Sequence, residues 1–124
     1  MPVSVSVDRN RKLVITTYSG QVTDEDVARQ ISEIGRHAPY ETDYRAITDF
    51  SDVTQFEISS RQIRLVADSK SPLDQARRVM VAPSDVAYGT SRMFQVLAAS
   101  TRPNISVVRS MEEAYKVLGI AREE

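Results

Sequence analysis

The side chains able to do chemistry are few and scattered. There is one histidine, His37, and there is no cysteine. Without Cys, thiolate catalysis, disulfides and Cys-ligated zinc or iron–sulfur sites are excluded. A hydrolase or transferase needs a nucleophile poised beside a base, or a metal. No Ser-His-Asp spacing is legible around His37, which suits the negative end of a helix dipole without chemistry. Asp24, Glu25 and Asp26 are consecutive, so on a helix they diverge and do not share one ion well. The four glycines are scattered and build no phosphate-cradling loop. Asp49 and Asp52 are of more interest. They lie at the C-terminal end of a predicted strand, where open α/β sheets bind ligands. They are candidate ligand carboxylates, with turn chemistry through backbone N–H groups as the alternative. These patterns assign no catalytic residue, no metal and no cofactor.

A chain of 124 residues suits one domain, because two cores would leave each half near the size where folding alone is marginal. The hydrophobic share of 41% and charged share of 27% are those of a globular chain. No apolar run approaches the roughly 20 residues a bilayer crossing needs. The net charge of −1 exerts no global pull towards nucleic acid or anionic membrane. Its distribution is uneven. Residues 1–56 carry 6 Lys/Arg against 9 Asp/Glu, and residues 57–110 carry 8 against 4. That basic middle is either a solvated face or a surface for an anionic partner. The first residues, MPVSVSVDRNRK, hold no signal-peptide core, and with the absence of Cys this points to the cytoplasm.

Two periodicities alternate along the chain and supply the elements that must position these residues. Val3, Val5 and Val7 alternate with serines, and Leu13, Ile15 and Thr17 repeat the pattern up to Tyr18. A short polar turn between them predicts an antiparallel hairpin, ended by Ser19-Gly20. Thr23 is a good N-cap, and Asp26 occupies the third position of the helix it opens. Val27, Ile31 and Ile34 form that helix's apolar stripe, and Pro39 stops it.

Tyr44 to Phe50 reads as a strand, followed by a loop over 51–58. Ser59 or Ser60 caps a second helix, with Ile63, Val66 and Ala67 inward, ended by Ser71-Pro72. Arg77 to Pro83 is a strand with an apolar run, as for a central parallel strand covered on both faces. Ser84 caps a third helix, with Val86, Thr90, Met93, Phe94 and Leu97 expected on its inner face. Tyr88-Gly89 lies within it. Gly there costs about 1 kcal/mol relative to Ala, which implies helix-on-sheet packing or a first-turn irregularity, or else contact with a partner or a small molecule. Ile105 to Arg109 is the last strand. Ser110 and Glu113 have capping-box spacing ahead of a fourth helix, whose face is Met111, Ala114, Tyr115 and Leu118 and whose C-cap is Gly119. The order β-β-α-β-α-β-α-β-α predicts an α/β fold: a five-stranded mixed, mostly parallel sheet with an N-terminal hairpin and four helices.

Three segments resemble the STAS-like superfamily, the anti-sigma-factor antagonists with the SpoIIAA-like fold. Ile47-Thr48-Asp49-Phe50-Ser51-Asp52-Val53 is similar to the strand and turn before that family's functional loop. Tyr88 to Leu97 resembles the third helix of a bacterial branch whose function is largely unassigned. Val107 to Gly119 is similar to that branch's final strand and helix. The resemblance covers nearly the whole chain. Regulatory members carry an Asp-Ser-(Ser)-Gly motif whose serine a partner kinase phosphorylates. Here the matching stretch is Phe56-Glu57-Ile58-Ser59-Ser60-Arg61. The serines are present, with Ile58 in place of the family Asp and Arg61 in place of the Gly.

The resemblance implies a non-enzymatic protein-interaction module, monomeric or homodimeric, with an unknown protein partner. Its contact surface would run from the loop 51–58 to the starts of the second and third helices. Phe56 would anchor it. Arg61, Arg64 and Arg92 would meet acidic groups or phosphate, and Tyr88 would flank them. Ser59 or Ser60 would be the phosphoacceptor, with a plain helix cap as the alternative. A second reading is a small-molecule carrier holding an apolar or acidic ligand between helices and sheet. A third is an enzyme using Asp49 or His37.

Overall fold

A computed structural model of the chain describes residues 2–41 and 43–121 of the expected domain; residues 1, 42 and 122–124 lie outside that description. The elements follow in the expected order: β1 (Val3–Asp8), β2 (Leu13–Thr23), α1 (Asp24–Arg36), β3 (Arg45–Glu57), α2 (Ser60–Asp68), β4 (Arg77–Val81), α3 (Asp85–Leu97), β5 (Ile105–Val108) and α4 (Met111–Leu118). They form one five-stranded sheet in the order β1-β2-β3-β4-β5. The β1–β2 pair is antiparallel and the other three pairs are parallel. This is the predicted α/β mixed sheet.

The hairpin turn rests on Asp8, whose carboxylate accepts from the backbone N–H groups of Asn10 and Arg11 at 3.0 and 3.1 Å. Alternation along the strands divides the core into two layers. Ile47, Val79, Val81 and Val108 pack against Ala114, Tyr115 and Leu118 of α4 on one face. Tyr18, Phe50 and Met80 face the opposite way, against Ile63 and Ala67 of α2 and Ala87 and Phe94 of α3, with Val27 of α1 alongside. Three helices therefore share one face and α4 covers the other.

Local signals set the helix starts. Thr23 and Asp26 form a reciprocal capping box at α1. Ser59, Ser84 and Ser110 cap α2, α3 and α4, each accepting from a backbone N–H three residues on. At α4 the expected box is half formed: the Ser110 hydroxyl, not its backbone N–H, donates to the Glu113 carboxylate. Gly119 caps α4 in the left-handed conformation, at φ 69°, which suits glycine.

The structure corrects three expectations. The β1–β2 hairpin pairing does end at Tyr18 and Ser19, as expected, but residues 51–57 are not a loop. Instead β2 runs on to Thr23 and β3 to Glu57, pairing Ser19 with Asp52 and Val22 with Phe56. Two register shifts, after Thr17 and after Gly20, each place one extra residue in β3. Such bulges destroy the period of two that marks a strand. Next, α2 ends at Asp68, ahead of Ser71-Pro72. Finally, α3 is rotated from the expected phase. Ala87, Ser91, Phe94 and Ala98 form its buried stripe, while Val86 and Met93 are exposed. Small residues let the helix sit close to the sheet and push the larger aliphatic ones outward.

Candidate functional site

Two helix starts meet through Asp24 and Ser59. The Ser59 backbone N–H and hydroxyl each donate to the Asp24 carboxylate at 2.8 Å. The same hydroxyl oxygen accepts from the Gln62 N–H at 3.0 Å and so caps α2. Ser59 is thus both a cap and a tether to the first residue of α1. A phosphoryl group there would stand against a carboxylate. Ser60, the first residue of α2, is exposed and makes no side-chain hydrogen bond among the described residues. Of the two serines it is the one whose hydroxyl is open.

Phe56 is half-buried, with its ring 5.3 Å from that of Phe50 at 71°. It closes the margin of the core, and does not project as a free anchor. Arg61 and Arg64 are exposed on α2 and form no ion pair among the described residues. Arg92, also exposed, donates to the Gln95 side chain at 2.8 Å. Tyr88 is drawn elsewhere. Its ring lies 4.1 Å beneath the guanidinium of Arg109, which is also held by the Asp85 carboxylate at 3.1 Å and the Pro83 carbonyl at 3.2 Å.

What the sequence reading missed on this side of the molecule is apolar. Leu65 is 55% exposed, Val86 64%, Met93 40% and Val96 69%, and these are the exposed large hydrophobics among the described residues. All four lie on the neighbouring helices α2 and α3. Positions 86, 89, 93 and 96 recur at helical spacing as one outward stripe. Gly89 falls within it, and a Cβ there would meet nothing within 4 Å. Tight helix-on-sheet packing is therefore not the reason for this glycine.

Asp49 and Asp52 lie within β3, not at the strand end expected for them, and have ordinary work. The Asp49 carboxylate accepts from the Ser51 backbone N–H at 2.9 Å and from its hydroxyl at 2.5 Å, a side-chain bond to backbone as in the alternative for it, made at a strand bulge and not in a turn. Asp52 is exposed opposite Ser19 in the bulged register. Among the described residues no three His, Asp or Glu side chains converge to hold a metal ion. His37 is the C-cap of α1, and its carbonyl accepts from Arg9 at 2.7 Å. No helix is long and apolar enough to cross a membrane among the described residues.

Beneath α1, α2 and α3 lies a cavity of about 70 Å³, walled mostly by apolar side chains including Phe50, Ile63, Met80 and Phe94. Its polar lining includes Tyr18, Gln30, Thr48, Arg78 and Ser91. The Tyr18 hydroxyl donates to Gln30 at 2.7 Å, and Gln30 donates to Thr16 at 3.2 Å. Burial, helped by the negative charge of Asp26, pushes the Tyr18 hydroxyl far above its ordinary value and keeps it neutral. Burial also lowers Arg78 to about 10, with the positive charge of Arg102 acting the same way. In the sequence Arg78 is one charge of a basic segment, and an Arg at a strand start carries no sign of its burial.

No family model matches the chain, and no curated protein matches it. Among solved structures, it is similar to an uncharacterized protein of the DUF3478 family with a SpoIIAA-like fold, from Shewanella loihica PV-4. The two share 11% identity over 94% of this chain and 93% of the other, with a TM-score of 0.60. Similarity at that identity speaks to architecture alone: the chain has the SpoIIAA-like, STAS-like fold.

Proposed function

We propose that the chain is a non-enzymatic interaction module of the cytoplasm, and that its contact surface is the outward side of α2 and α3. The observation that carries this reading is the concentration of exposed Leu65, Val86, Met93 and Val96 on those two helices. Exposed apolar groups gathered in one region mark interaction sites, whereas scattered ones need no explanation. Exposed Arg61, Arg64 and Arg92 lie on the same two helices. An apolar centre with a basic margin suits a protein partner that offers apolar side chains ringed by Asp and Glu. Gly89 leaves room within the stripe for another backbone to approach. The groups nearest to catalytic chemistry are engaged structurally: Ser59 with Asp24, Asp49 with Ser51, and His37 at a helix end.

The test is photo-crosslinking from position 93 in a lysate of the source cells, followed by reconstitution of the identified partner with purified protein. Serine at both Leu65 and Met93 should weaken the purified complex more than tenfold, and glutamate at Arg61 and Arg64 should remove its salt dependence. A complex unmoved by both pairs of changes overturns the assignment of this surface.

A further inference from the structure

Arg78 is the second residue of β4, between Ala46 of β3 and Ile105 of β5. It is 8% exposed. A guanidinium carries five N–H donors and no acceptor. Among the described residues its side chain meets one protein acceptor, the Leu73 carbonyl, at a long 3.5 Å. Arg102, buried nearby, is better held. It donates to the Val66 and Ala67 carbonyls at 3.0 and 3.3 Å, and its Nε lies 3.6 Å from the Asp74 carboxylate. Asp74 is also the carboxylate whose charge acts on Arg78. Arg102 thus takes the Asp74 ion pair, and Arg78 forms no ion pair among the described residues. An uncompensated buried charge is strongly unfavourable, so this part of the core lacks one negative charge.

Arg78 also lines two cavities. One is the apolar cavity of about 70 Å³, to which Ser91 contributes a fully buried hydroxyl with no hydrogen-bond partner. The other, about 160 Å³, is lined by Arg102 and the exposed Lys70 as well as Arg78. Gln30 and Val66 border both cavities. A buried cation with free donors, an orphan hydroxyl and an adjoining apolar space form a site with two chemical ends.

We infer that Arg78 anchors an amphipathic monocarboxylate, with the carboxylate on its guanidinium and a short apolar chain in the cavity bounded by Phe50, Met80 and Phe94. The planar fork of Arg matches a carboxylate with two parallel bonds. The missing charge is single, which favours a monoanion over a phosphate dianion. Ser91 can donate to the ligand. A cavity of this measure needs roughly 10–15 Å³ to hold one water, so 70 Å³ suits a chain of a few carbons and is too small for a lipid tail. The site is independent of the outward α2–α3 surface, since Ser91 and Phe94 are on the buried side of α3 and Met93 is on the exposed side.

Titration of the full chain with hexanoate, followed by calorimetry and amide chemical shifts, tests the assignment. Hexanol and inorganic phosphate serve as controls. Hexanoate should bind saturably at one site, at least tenfold tighter than either control. Arg78→Met should weaken it about 10- to 100-fold, the loss expected for charge-assisted bonds. Arg78→Lys, which keeps the charge without the fork, should fall between and supplies the comparison if Arg78→Met does not fold. Hexanoate binding no tighter than hexanol or phosphate, or undiminished in the folded variants, overturns the inference.

Discussion

The carboxylate of Asp24 holds both the backbone N–H and the hydroxyl of Ser59, each at 2.8 Å, and so ties the start of α1 to the start of α2. The contact joins two helices that roof the same cavity, to which α1 contributes Val27 and Gln30 and α2 contributes Ile63 and Val66. It also determines what each serine can do. Ser59 already faces a negative charge, while Ser60 beside it does not share that contact.

Charge placed at Ser59 should therefore destabilise through Asp24. Asp is as good an N-cap as Ser, so Ser59→Asp alone should leave the cap intact. We expect Ser59→Asp to lower stability by about 1 kcal/mol relative to the wild type, on the scale of a charge-assisted bond discounted for exposure. Asp24→Asn should recover most of that difference. Thermal melts of the four proteins in a double-mutant cycle measure the coupling; additivity would show that the two residues do not interact.

Gly89→Ala should stabilise the free protein by about 0.5–1 kcal/mol, because a helical Gly is replaced by the best helix former. The added Cβ meets nothing within 4 Å. A urea midpoint that rises with unchanged slope is the expected signature. The same change should weaken partner binding if another backbone approaches the stripe there.

Phe56→Ala and Met93→Ser should separate core from surface. Phe56 packs edge-on against Phe50, and its truncation should cost about 2 kcal/mol, below the roughly 3–5 kcal/mol of a fully buried Phe. Met93 is exposed, and its replacement should change stability by less than about 0.5 kcal/mol. Chemical denaturation of both variants checks the pair. Equal losses would contradict the burial assigned to these residues.

Ser91→Ala should leave the free protein as stable or more stable, by up to about 1 kcal/mol, because it removes a buried hydroxyl that has no partner. A clear loss of stability would show that the hydroxyl has an acceptor after all. Calorimetric melting of the two proteins decides between these outcomes.

Acid should loosen the hairpin. The Arg11 guanidinium, joined by the Arg11 backbone N–H, holds the Asp8 carboxyl below its ordinary 3.8. The folded chain thus binds that proton less readily than the unfolded chain. The contribution is present in full above the unfolded value and disappears as pH falls through the lowered folded one. Denaturation midpoints of the wild type should therefore drop below about pH 4, and Asp8→Asn should flatten that part of the profile. Parallel profiles for the two proteins would remove Asp8 from the acid response.

The order of elements, the hairpin and all four helix starts were legible along the chain. Each depends on residues a few positions apart: Thr23 with Asp26, Ser59 with Gln62, Ser84 with Ala87 and Ser110 with Glu113. Capping and alternation are local physics, so a sequence displays them directly. The features that make the candidate sites are not local. The strand extension beyond Phe50 depends on pairing with β2 and is hidden by two bulges. The outward turn of Val86 and Met93 arises because three helices crowd one face and Ala87, Ser91 and Ala98 let α3 lie close to the sheet. The Asp24–Ser59 clasp and the burial of Arg78 likewise exist only once distant elements pack. A charge in the sequence carries no mark of its surroundings. The fold alone decides which charges remain in water and which, like Arg78, are left facing a cavity with too few acceptors.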